Sequence, residues 1–146
     1  MIKWKKESIL SQLKANTVAI ISLVTALSGL SYNSWRDHQN EMNHNMRNAA
    51  FEVLKELGDL QTVVNYAHYV KDQSRGNPVD GWGHVVLVRD VSRVLTPVAS
   101  AQGQRLYVTW QQDWEGLDDD VASETRISDE IALTRKAVLE TIVNLN

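Results

Sequence analysis

Carboxylate, imidazole and indole side chains recur in this chain at spacings that suit metal binding, ligand stacking or the anchoring of a partner. Glu41-Met42-Asn43-His44 is an E-x-x-H, the spacing that sets a carboxylate and an imidazole on one helical face in bundle-type di-metal sites. Those sites need a second such motif and further glutamates from facing helices. The chain has no second copy, so Glu41 and His44 are expected to be solvated polar residues. His38, one turn before Glu41, adds at most a loose surface site, and no metal is expected.

Tyr66, His68 and Tyr69, followed by Trp82 and His84, are the densest group of aromatic and imidazole side chains. If the intervening loop folds the chain back on itself, they meet at one end of a bundle, where a small-molecule pocket is physically reasonable. Aromatic packing under the loop is the simpler reading. Trp110 and Trp114 lie one helical turn apart and could stack a ligand or anchor a partner, since tryptophan is enriched at interface hot spots. As a stripe on one helix they also suit a core. Arg89, Asp90 and Arg93 are close enough along a helix to form surface ion pairs rather than an anion site. No phosphate-binding glycine loop, serine nucleophile elbow or zinc-type histidine pair occurs. A binding protein is therefore expected rather than an enzyme, with no cofactor.

The element that positions all of these is KANTVAIISLVTALSGLSYNSWR, Lys14 to Arg36. Between its cationic ends about 20 residues carry no charge, enough to cross a hydrocarbon core roughly 30 Å thick as a helix. Ile20, Ile21, Leu23, Val24 and Leu27 favour lipid, and Ser22, Thr25 and Ser28 can bond to carbonyls one turn earlier. Ser22 with Ala26 and Thr25 with Gly29 would let a second helix approach closely. Ahead of this stretch, Lys3, Lys5, Lys6 and Lys14 against Glu7 give the leading segment +3 and leave −6 for the rest of a chain with net charge −3. Lysines at that boundary, with Trp4 at headgroup depth, predict a cytoplasmic amino terminus. Small residues at Ala26-Leu27-Ser28 and Gly29-Leu30-Ser31 resemble signal-peptidase sites. The uncharged run nevertheless exceeds the roughly 7–15 residues of a signal core, which favours an uncleaved anchor.

The remaining residues have the size of one small domain. Their acidic balance argues against a nucleic-acid partner, which would require a basic face. Cysteine is absent and only two prolines occur, a composition that favours long helices over a many-stranded sheet. Trp35, Met42, Met46, Ala49, Val53, Leu57, Leu60, Val64 and Ala67 keep helical spacing, with Glu41, Arg47, Glu52, Lys55, Glu56 and Asp59 expected on the opposite, solvated side. The turn-rich stretch Lys71 to Gly83 predicts a loop, with Asp80 available to cap a helix through Val85, Val88 and Val91. Thr96-Pro97 predicts a capped helix start, with Gly103 able to divide that helix before Leu106, Tyr107, Trp110, Trp114 and Leu117. Asp118-Asp119-Asp120 predicts an acidic turn or cap, and Ser128-Asp129-Glu130 a cap for a final helix carrying Ile131, Val138 and Ile142.

The expected fold is all-α. Residues 1–14 are a short basic cytoplasmic segment, 15–35 a transmembrane signal-anchor helix, and 36–146 an extracytoplasmic domain. There the anchor helix continues as a long stalk into an antiparallel bundle of about four helices. The expected function is that of a small single-pass membrane protein of a bacterial inner membrane that offers its bundle as an interaction or scaffold module. Its partners would be membrane lipid and another membrane protein or a second copy of itself. This layout resembles the extracytoplasmic helical sensor domains of bacterial receptors. The resemblance implies the alternative of ligand sensing, here signalled through a partner protein.

Overall fold

The computed structural model describes residues 11–12, 14 and 16–145, and among them there is no strand. The helices are α1 (Thr17–Asn65), α2 (Pro78–Ser92), α3 (Pro97–Asp113) and α4 (Val121–Asn144), with a π-helical turn at Tyr66–Val70 and a 3-10 turn at Trp114–Gly116. Trp4 and Lys3, Lys5 and Lys6 of the basic leading segment lie outside the described residues. Packing divides the chain between Met42 and Asn43. Each unit contains part of α1.

In the first unit every described residue is exposed. Thr25 Oγ1 donates to Ile21 O (2.9 Å), the bond back to the preceding turn that lets a hydroxyl sit among apolar groups. One helix near the amino terminus is thus long and apolar enough to cross a membrane. No break separates this stretch from the residues that follow within α1.

The second unit is a helical bundle. Val53, Leu57, Leu60 and Val64 of α1, Val85 and Val88 of α2, Leu106 and Trp110 of α3, and Ile127 and Val138 of α4 form one buried core. Bonds between neighbours give the directions. Arg47 Nη2 donates to Leu145 O (3.4 Å) and Gln61 Nε2 to Ser128 Oγ (3.2 Å), so α1 and α4 run antiparallel. Thr96 lies against Thr141 and Asp113 against Ser123, so α3 and α4 do too. α2 approaches α3 closely at two glycines. A Cβ on Gly81 would collide with the Trp110 indole, and one on Gly103 would lie 2.9 Å from Ser92 Oγ.

The ends of the helices follow local chemistry. After the π-helical turn, Lys71 adopts a left-handed φ of 58° and its N–H bonds Tyr66 O. α2 begins at Pro78, earlier than the expected loop allows. Asn77 rather than Asp80 is its cap and accepts from Val79 N (3.0 Å), because a proline at the first position fixes φ without losing a needed donor. Thr96 caps α3 as expected, accepting from Ala99 N. Gly103 does not divide that helix but seats it against Ser92. The final helix starts at Val121, not at Ser128, because Asp120 accepts from Ala122 N and Ser123 N (both 3.1 Å). Ser128 lies inside α4, where its hydroxyl donates to Glu124 Oε1 (2.7 Å).

Candidate functional site

Three places share the residues singled out from the sequence. The first lies at the loop after α1. His68 Nδ1 donates to Leu117 O (2.9 Å), and the Tyr69 ring meets the His68 ring edge-on at 4.9 Å. Tyr69 is 66% exposed, and the charge of Glu124 beside it is the main cause that raises its phenol pKa above the usual value. The Arg75 guanidinium lies over the Tyr66 ring at 4.0 Å. Lys71 Nζ donates to Asp118 O and faces Asp119 at 3.4 Å. These bonds tie the loop to the acidic turn.

The second place is aromatic. Trp82 packs edge-on against Tyr107 (5.8 Å) and Trp114 (6.0 Å), and Arg89 covers the other ring of the pair, Tyr107, at 4.4 Å. Arg89 also binds Asp90 (2.8 Å), the surface pair expected from the sequence. That hydrogen bond is the main cause that holds the Asp90 carboxyl below its usual range. Trp110 is fully buried beneath Gly81, and among the described residues its indole N–H has no acceptor. It is a core residue, out of reach of a ligand or partner, whereas Trp114 is half-buried.

The third place joins α1 to α2. His84 Nδ1 donates to Glu56 Oε2 at 2.7 Å, and Glu56 is 6% exposed. Glu56 therefore departs from the solvated side expected for it. It follows Val53 and precedes Leu57 and Leu60, on the shoulder of the apolar stripe, where α2 covers it and His84 supplies the donor a buried carboxylate requires. Asp59 lies beside the pair, so that one ligand atom from each of Glu56, Asp59 and His84 falls within 4.8 Å of the others. Among the described residues this trio could hold a cation; Glu41, His44 and His38 are all exposed on α1. Sequence reasoning missed it because His84 is 28 residues from Glu56 in the chain.

Tyr66, His68, Trp82 and His84 thus take different partners. A concavity lies elsewhere, an open groove of about 560 Å³ lined on α4 by Ile131, Ala132, Leu139 and Val143 together with Arg135, Lys136 and Glu140, and on α1 by Gln61. Leu139 of the final helix is exposed and lines this groove. The comparisons with known proteins return no match: no family model, no curated protein and no solved structure matches this chain.

Proposed function

We propose that this is a single-pass protein of a bacterial inner membrane, amino terminus in the cytoplasm, whose bundle works in the periplasm or outside the cell as an interaction module. The observation that carries the reading is that α1 joins a stretch of exposed apolar side chains to a bundle with a closed core. An uncovered helix of that length and composition is suited to lipid. The lysines before it favour retention of that end in the cytoplasm.

The groove on α4 is the surface offered to a partner. Its apolar lining residues, with charges of both signs among them, suit the apolar face of an amphipathic helix. It borders the last turns of α4, the end of the bundle where Arg47 meets Leu145. There a juxtamembrane helix of another membrane protein is the occupant. A photo-crosslinking residue placed at Val143 in the full-length chain, in native membranes, tests this against the same residue at Val79. Crosslinks to a distinct membrane protein from position 143 alone are expected. Crosslinks only to a second copy would replace that occupant with self-association, and none from position 143 would end the interaction reading.

Ligand sensing is the second reading, favoured by the groove's volume, which falls within the range of small-molecule sites. A ligand there would raise the melting temperature by mass action, and Leu139→Arg would abolish that rise.

A further inference from the structure

We propose that Glu56, Asp59 and His84 form a binding site for a divalent transition-metal cation of the zinc type. Glu56 and Asp59 are three apart on α1, hence on one face, and His84 comes to them from α2. Their donor atoms already lie within 4.8 Å of one another. Nitrogen and oxygen ligands held at about 2.0–2.2 Å from one ion lie roughly 3–4 Å apart, so side-chain rotation alone gathers the set. One imidazole with two carboxylates suits zinc, manganese or ferrous iron, whereas calcium and magnesium prefer oxygen alone.

Two observations raise this trio above an ordinary surface cluster. Glu56 is more than nine-tenths buried, so its carboxylate is fixed by packing in surroundings where negative charge needs compensation. The compensation present is incomplete. Besides His84, Lys55 Nζ is 3.9 Å from Glu56 Oε1, and it is also drawn to Glu52 at 3.7 Å. Asp59, for its part, makes no hydrogen bond or ion pair among the described residues although it stands next to this pair. A cation between the three takes the place of the Nδ1 proton that His84 shares with Glu56, neutralises the buried carboxylate and gives Asp59 a partner. Asp59 is exposed, so the outer side of the ion stays open to water. Among the described residues no second helix brings a ligand to the E-x-x-H at Glu41 and His44.

The test uses the metal-stripped, full-length chain in mild detergent, titrated with zinc chloride by calorimetry and with cobalt chloride by visible absorption. One zinc per chain is expected, with cobalt giving d–d bands of a site holding protein ligands. Asp59→Asn and His84→Ala should each weaken zinc binding by at least about tenfold, and the double variant His38→Ala/His44→Ala should leave it unchanged. Asp59 is exposed and unbonded, so its variant keeps the fold, which circular dichroism checks. Absence of binding at millimolar zinc would overturn the proposal. So would binding that survives Asp59→Asn and disappears with His38 and His44.

Discussion

Helix α1 contains two surfaces that solve opposite problems. Before Asn43 its aliphatic side chains, Ile20, Ile21, Leu23, Val24 and Leu27 among them, are all exposed. After Asn43 the aliphatic residues narrow to a stripe, Val53, Leu57, Leu60 and Val64, which is buried, while Glu52 and Lys55 stay outside. Backbone hydrogen bonding is the same in both stretches, so the pattern of side chains alone decides what covers each. A long uncharged helical stretch whose apolar side chains nothing in the chain covers asks for an apolar solvent. One apolar along a stripe asks for other helices, and this chain supplies them as α2, α3 and α4.

If that division is right, damage to one stretch should leave the other intact. The largest effect is expected from Trp110→Ala, which empties the centre of the bundle and should cost about 3–5 kcal/mol of its stability in denaturant titrations. Leu23→Ala should leave the same midpoint unmoved. Next comes Leu23→Arg, which should oppose membrane insertion by about 2.5–3.5 kcal/mol, seen as a larger unincorporated fraction. The bundle's thermal transition in detergent should not change. Gly81→Ala sets a methyl group against the Trp110 ring and should destabilise the bundle by about 1–3 kcal/mol, again without effect on insertion. Removing the Thr96 hydroxyl that caps α3, by Thr96→Ala, should cost about 1 kcal/mol.

The smallest effect concerns pH. The Ser123 hydroxyl first, then the N–H groups of Ala122 and Ser123 and the charge of Arg126, hold the Asp120 carboxyl below its usual range. A carboxyl lowered on folding contributes stability above its unfolded pKa, and that contribution is lost as pH falls through the lower folded value. Acidification should therefore loosen the start of α4, and Asp120→Asn should flatten the dependence of helical ellipticity on pH below about 4.

The helices were legible because their periodicity and caps are local. Thr96-Pro97 and the acidic turn ending at Asp120 announce α3 and α4 in a few residues each. Ser128 misled because a serine followed by acids looks the same inside a helix as before one, and only the stronger cap at Asp120 decides between them. The candidate site was less legible. Periodicity placed Glu56 with the solvated residues, yet its burial depends on His84 arriving from another helix. The aromatic group dispersed for a similar reason. The π-helical turn sends His68 to Leu117, while Trp82 reaches Tyr107 on α3 and Trp114 in the 3-10 turn after it. Such pairings are set by how helices cross, which no local pattern records.

The proposed anchorage requires the uncovered stretch of α1 to lie in lipid. Alkaline carbonate extraction of membranes from cells making the full-length chain tests this most directly. The chain should stay in the membrane pellet and come out only with detergent. Recovery of the intact chain in the aqueous supernatant would contradict it.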